Sequence, residues 1–231
     1  MDRGVDGVDL VVEAVRKHIP LPIAMGEEHN YASLPLCVID AVFSIGVRYS
    51  STRATVLHWC KSQTPPWDVL RSDTSKERSN TEFLAILDGC SAEELAGPSF
   101  FNNRQRTSPR GGILKAEAVR EFAKVLHDFG IDRLADVPKK IDSAKSKLLQ
   151  IKGQVSGISL EYFLLLAGSD NDIKADRMVC RFIGNALGLE SPASPELARK
   201  LLPAAAQVIG VTPRELDHGI WSFQRAVPNL R

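Results

Sequence analysis

The stretch from Leu148 to Arg181 constrains the fold of this chain more than any other segment. A basic helical run ends at Ile151, and a turn with two glycines, residues 152–157, leads into an apolar helix from Ile158 to Ala167. Because glycine adopts positive φ without a Cβ clash, such a turn is tight and can point its N–H groups outward. Outward N–H groups before a helix form an anion site. A second loop then leads to Asp176, which stands where another helix begins.

This layout resembles the helix-hairpin-helix DNA glycosylase superfamily, in particular its endonuclease III branch. The segment 34–55 is similar to the long early helix and following turn of that family, with Ser44 at the position of its serine. Gly46 stands where the family carries the glutamine that fills the gap left by a flipped base. The segment 151–155 falls on the hairpin Leu-Pro-Gly-Val-Gly and keeps only the first glycine, Gly153.

Of the family's two catalytic positions, this chain matches the aspartate and lacks the lysine. Asp176 matches the family's aspartate, and residues 176–181 resemble its Asp-Thr-His-Val-x-Arg helix start. The position of the bifunctional members' lysine falls on Gly157, or on Glu161 in a second register, so the amine that Schiff-base chemistry needs is missing. The resemblance therefore implies no lyase activity. It implies a monofunctional hydrolase of a damaged-base N-glycosidic bond, of the base-excision repair type.

Asp176 also has a purely structural interpretation. Aspartate is a preferred N-cap, and its side chain would accept from the first N–H groups of a helix over residues 177–188. The two roles are compatible, and both remain open.

The resemblance further implies contacts with duplex DNA as the partner. A phosphate would be held by the hairpin residues Lys152, Gly153, Gln154, Ser156 and Gly157. Other DNA contacts are expected from Arg48, Tyr49, Arg53, Asn103, Arg104, Arg106 and Arg110. The alternatives are a helix corner without a ligand and a charged loop that is simply solvated.

Charge and composition limit these expectations. The content of 44% apolar and 25% charged residues is ordinary for a soluble globular protein, and a net charge of +1 argues against a strong nonspecific nucleic-acid binder. Basic residues nevertheless concentrate in 104–110 and 139–152. The acidic N-terminal segment is unlike a signal peptide and no apolar run is long enough for a bilayer, so an intracellular location, cytoplasm or nucleoid, without membrane attachment is expected.

The four cysteines, Cys37, Cys60, Cys90 and Cys180, lack Cys-x-x-Cys spacing. We therefore expect no metal site and no cofactor, and the iron–sulfur loop of the endonuclease III branch has no counterpart in the sequence.

Hydrophobic spacing predicts helices throughout and no sheet, which makes the fold class all-α. The predicted helices are Asp6–His18, Ser33–Gly46, Thr52–Trp59, Thr81–Leu87, Ala92–Ala96, Ile113–Phe129, Asp142–Gln150, Ile158–Ala167, Asp176–Leu187 and two more starting at Ser194-Pro195 and Thr212-Pro213. By resemblance they form two lobes, 30–168 with the hairpin and 1–29 plus 169–231.

Three function classes follow. The first is a DNA-binding, glycosylase-like hydrolase with Asp176 as its essential carboxylate. The second is a catalytically silent DNA-binding or scaffolding module on the same fold. The third is a helical protein–protein adaptor with no role on nucleic acid.

Overall fold

The computed structural model describes residues 7–24, 26, 30–71, 76–168 and 171–226. Eleven α-helices occupy these ranges, and they contain no β-strand, only isolated bridges between Tyr31 and Leu70 and between Arg106 and Leu114. The predicted all-α class is confirmed.

The helices are α1 Gly7–His18, α2 Leu34–Phe43, α3 Tyr49–Ser62, α4 Asn80–Leu87, α5 Ala92–Leu95, α6 Lys115–Asp128, α7 Val137–Leu148, α8 Ile158–Leu166, α9 Arg177–Ala186, α10 Pro195–Ile209 and α11 Pro213–Ala226. A short 3-10 turn, Leu134–Asp136, precedes α7. Asp6, predicted as the start of the first helix, lies outside the described residues.

The chain divides into two compact units. One comprises Glu27–Gly168, and the other comprises Met1–Gly26 with Ser169–Arg231. The sequence-based division lies between residues 29 and 30 and between 168 and 169. Residues 29 and 169 themselves are outside the described part.

The unit 27–168 is built around α2. Every residue of α2 is buried, and the helix packs against α3, α6 and α8. Aromatic rings extend this core, since Trp59 stacks on Phe101 at a centroid distance of 5.0 Å and meets Phe83 edge-on at 5.1 Å. Phe101 is fully buried and belongs to this core.

The second unit has a core of its own. Helix α1 buries Val11, Val12 and Val15 and packs against α9 and α10, while α11 packs against the same two helices. The apolar faces of α9, α10 and α11 complete this cluster. No described helix combines the length and the apolarity that crossing a bilayer demands.

Local capping explains several helix starts. Ser79 and Glu82 form a reciprocal capping box at α4, and Ser91 and Glu94 do the same at α5. The helix start predicted at Thr212-Pro213 is confirmed. Thr212 N–H donates to Glu215 Oε2 at 2.7 Å, and Glu215 N–H donates to Thr212 Oγ1 at 3.1 Å.

Other helix starts differ from the prediction. Helix α7 begins at Val137 and not at the predicted Asp142. Pro138 lies in its first turn, where the missing N–H costs nothing because that N–H has no intrahelical acceptor. Helix α3 begins at Tyr49 and not at Thr52, and Gln105 donates to Ser51 in that first turn at 3.3 Å. Ser33 holds the N-cap position of α2 without a side-chain hydrogen bond.

Candidate nucleic-acid interface

The hairpin turn, residues 149–157, joins α7 to α8 in the unit 27–168. Gly153 and Gly157 have φ of +93° and +77°, values that L side chains rarely adopt. Internal hydrogen bonds close the turn, from Gln154 N–H to Ile151 O and from Gly157 N–H to Gln154 O, both 2.9 Å. The sequence therefore uses glycine where the backbone requires it.

Three other N–H groups of the hairpin turn remain available to a ligand. Lys152, Gly153 and Val155 are exposed, Val155 to 83%, and their N–H groups have no acceptor among the described residues. Gly157 is the N-cap of α8, and glycine has no side chain that could accept from the first-turn N–H groups of that helix. Successive unpaired N–H groups before a helix are what an anion needs.

Gln154 corrects one expectation for the hairpin turn. Its side chain is only 2% exposed, and neither Nε2 nor Oε1 has a partner among the described residues. A buried amide cannot donate to a phosphate in solvent, so Gln154 is not a DNA donor. Lys152 and Ser156, by contrast, are exposed as expected. The tight turn forces Gln154 inward while its neighbours stay outside.

The arginine loop, residues 103–110, lies against the hairpin turn. A Cβ built on Gly153 would stand 2.4 Å from Thr107 Cβ, so Thr107 packs directly on the glycine backbone. Only glycine permits that approach. Arg104, Arg106 and Arg110 are all exposed, and Arg106 Nη1 donates to Gly112 O at 2.9 Å.

The arginine loop is also tied to the start of α3. Asn103 Nδ2 donates to Thr55 Oγ1 at 2.9 Å, and Gln105 Nε2 donates to Ser51 Oγ at 3.3 Å. This side-chain contact makes Asn103 a structural residue of the loop. The structure thereby brings the start of α3, the arginine loop and the hairpin turn together within one unit.

Three DNA contacts were predicted in and just after the α2–α3 turn, which comprises residues 44–48, and these three residues differ in exposure. Arg48 is exposed, whereas Tyr49 and Arg53 are half-buried. The Arg53 guanidinium lies 6.0 Å from the centre of the Tyr31 ring, and its Nη1 is buried without a partner in the described chain. Arg53 thus turns toward the protein, and Arg48 is the exposed cation of this turn.

Asp176 belongs to the other unit and is the N-cap of α9. Its Oδ1 accepts from the N–H groups of Met178 and Val179 at 2.7 and 3.2 Å. Its Oδ2 lies 3.9 Å from Lys174 Nζ, and the side chain is 23% exposed. The structural interpretation of Asp176 as a cap is confirmed. One carboxylate oxygen carries both cap bonds and the other does not.

A buried carboxylate escaped the sequence analysis. Asp40 in α2 is fully buried, and its Oδ2 accepts from Tyr31 Oη at 2.7 Å and from Tyr162 Oη at 3.4 Å. Burial, followed by the Asp40 charge, raises the pKa of both tyrosines, so both phenols stay protonated as donors. A lone carboxylate inside the apolar run of α2 was the signal for this cluster.

A buried lysine was missed as well. Lys115, the first residue of α6, is 1% exposed, and its ammonium contacts the end of α2 and the arginine loop. Because it begins an amphipathic helix beside a glycine pair, it reads as a solvent-facing residue in the sequence.

Two cavities open on the unit 27–168. One, of about 490 Å³, is lined by Phe100, Arg104, Cys90 and neighbours. The other, of about 580 Å³, carries three cations and three carboxylates among its lining residues, Asp68, Lys76, Glu77, Arg78, Glu82 and Arg133. Neither of these two cavities is lined by a residue of the hairpin turn. No group of three or more possible metal ligands occurs among the described residues.

The model of a protein family described as Domain of unknown function (DUF8548) matches residues 9–225. The chain belongs to that family. No curated protein matches the chain in sequence. In this DUF8548 member, the match covers the hairpin turn, the arginine loop, Lys115 and Asp176 alike.

Proposed function

We propose that this chain binds duplex DNA through the phosphate backbone, with the hairpin turn as the principal contact. The observation that carries the proposal is that Lys152, Gly153 and Val155 are exposed and that their backbone N–H groups have no acceptor among the described residues, just before α8, whose N-cap is a glycine. Backbone N–H groups at a helix start suit an anionic oxygen, and Lys152 adds a cation beside them.

The arginine loop supports a contact longer than one phosphate. Arg104, Arg106 and Arg110 are exposed on the segment that packs against Gly153. Neighbouring cations that follow a turn of backbone donors suit successive phosphates of one strand. The near-neutral net charge of +1 leaves such binding dependent on this local patch.

Salt-dependent binding to a labelled duplex tests the proposal. We expect a dissociation constant that rises with salt, because binding releases counterions from the phosphates and this release gains less free energy in a more concentrated salt solution. Lys152→Glu should weaken binding about tenfold at low salt and reduce the salt slope by about 1. Lys124→Glu is the matched control, since Lys124 is an exposed lysine on α6 of the same unit. Equal effects of both substitutions, or no binding by the wild type, would contradict the proposal and favour a protein–protein adaptor.

Hydrolysis of a damaged-base N-glycosidic bond is the second candidate function. The observation favouring it is that Asp176 Oδ1 accepts both cap hydrogen bonds, whereas Oδ2 accepts neither. A carboxylate held in place by its cap is preorganised to stabilise positive charge on a sugar or to orient a water.

Base release from lesion-bearing duplexes tests this second candidate. Asp176→Asn keeps the cap acceptor and removes the charge, so it should abolish release while leaving DNA affinity within about twofold. Release that survives in Asp176→Asn would rule out the proposed role of this carboxylate. If the wild type binds DNA but releases no base, the result would favour the catalytically silent DNA-binding module.

A further inference from the structure

Lys115 is the one lysine of the unit 27–168 that the structure buries among its described residues. Its Nζ donates to Phe43 O at 2.9 Å, to Ile45 O at 2.7 Å and to Gln105 Oε1 at 3.1 Å. Its backbone N–H donates to Gln105 O at 2.8 Å. One residue thus joins the end of α2 to the arginine loop.

The chemistry of this site suits an ammonium group. An ammonium has three donors, and three acceptors surround it. Two of them are carbonyl oxygens, that of Phe43 at the C-terminal end of α2, where the helix dipole favours a cation, and that of Ile45 in the following turn. The groups that face Lys115 from α2, the α2–α3 turn and the arginine loop are uncharged oxygens, and burial alone lowers its pKa to about 8.

The two segments that Lys115 joins carry exposed arginines. The α2–α3 turn presents Arg48, and the arginine loop presents Arg104 and Arg106. Burying an unpaired charge is costly, and a methionine of similar length would fill the space without that cost. The lysine adds a fixed connection between the two segments.

We propose that Lys115 is a positioning residue for DNA binding, which holds the α2–α3 turn and the arginine loop so that their arginines meet neighbouring phosphates. This inference rests on the proposed function of the hairpin turn. Lys115 itself touches no ligand, because its side chain lies beneath the surface that it organises.

The proposal has a pH signature. A neutral amine has two donors for the three acceptors, so loss of the proton releases one acceptor, and Gln105 Oε1 at 3.1 Å makes the longest of the three bonds. Release of Gln105 Oε1 removes the side-chain link through Lys115 between the arginine loop and the α2–α3 turn, while the bond from the Lys115 backbone N–H to Gln105 O remains. DNA affinity should therefore fall between pH 7 and pH 9.5.

The first measurement compares Lys115→Met with the wild type by duplex binding across that pH range. At pH 7 the variant should bind about tenfold more weakly, the equivalent of one or two phosphate contacts. Its affinity should then stay constant up to pH 9.5, whereas the wild type weakens toward it. A wild-type affinity that is constant with pH, or an identical decline in the variant, would refute the positioning role.

The second measurement is amide hydrogen exchange in the free protein, which does not depend on DNA. Lys115→Met should speed exchange in residues 44–48 and 103–107 and leave 152–157 unchanged. If Lys115→Met fails to fold, Gln105→Ala at a half-exposed site replaces it. Gln105→Ala should speed exchange in residues 103–107 alone. Unchanged exchange in the folded variants would overturn the proposal. Absence of DNA binding by the wild type would contradict the proposed function. Equal DNA affinity of the wild type and Lys115→Met would contradict only the positioning role of Lys115.

Discussion

At the scale of single residues, two substitutions of Asp176 separate the effect of its helix cap from the effect of its charge. Its Oδ1 accepts two N–H groups of α9, and asparagine offers a carbonyl oxygen at the same place. We expect Asp176→Ala to lower the free energy of unfolding by about 1 kcal/mol and Asp176→Asn by well under that amount. Urea denaturation measures both variants. An equal loss would mean that the contact with Lys174, and not the cap, supports this position.

Lys115 yields a residue-scale prediction for stability that runs opposite to its effect on binding. Its pKa is lowered from 10.5 to about 8 by burial, so between these pH values the unfolded chain binds the proton and the folded chain does not. Stability therefore rises with pH in this window, on the order of 1 kcal/mol per pH unit.

The difference in unfolding free energy between the wild type and Lys115→Met isolates this contribution, because all other titrating groups cancel. We expect the difference to shift in favour of the wild type from pH 8 to pH 10.5 and to stay constant below pH 7. A difference that is constant throughout would mean that Lys115 titrates as in water.

At the scale of elements, the hairpin turn depends on close packing as well as on backbone conformation. Gly153 and Gly46 both have positive φ, but only Gly153 has a neighbour within 4 Å of a new Cβ, namely Thr107. We expect Gly46→Ala to cost about 1 kcal/mol for the left-handed conformation alone. Gly153→Ala should cost at least about 1 kcal/mol more, because the arginine loop must move.

Thermal or urea unfolding of these two variants checks the comparison, and duplex binding adds a functional reading. Gly153→Ala should also weaken DNA binding, since its Cβ displaces Thr107 from the hairpin turn. Similar losses of stability in both variants would show that the close approach of Thr107 contributes nothing.

At the scale of the whole molecule, the unit 27–168 contains its own aromatic core, the hairpin turn, the arginine loop and Lys115. We expect residues 27–168 produced alone to unfold cooperatively and to keep salt-dependent duplex binding within about tenfold of the full chain. Circular dichroism melts and the duplex titration measure both properties. A non-cooperative melt of this fragment would show that its core does not suffice by itself.

The sequence by itself determined which segments are helical and where several of them start. Periodic apolar residues, Ser194 and Thr212 as caps and glycines at Gly153 and Gly157 are signals that act within a few residues, and the structure bears them out. The starts of α7 and α3 were misplaced because a proline in a first turn, Pro138, looks like part of a linker and because a distant side chain, Gln105, meets the start of α3.

Only the tertiary structure decided which polar groups are buried and which face solvent. Gln154 turns inward although its neighbours in the hairpin turn are exposed, and Lys115 lies beneath the loops whose arginines face solvent. Asp40 became a carboxylate between two tyrosines because α8 and the segment before α2 converge on it. The physical reason is that burial and hydrogen-bond partners depend on contacts between residues tens of positions apart, and local patterns in the chain carry no record of them.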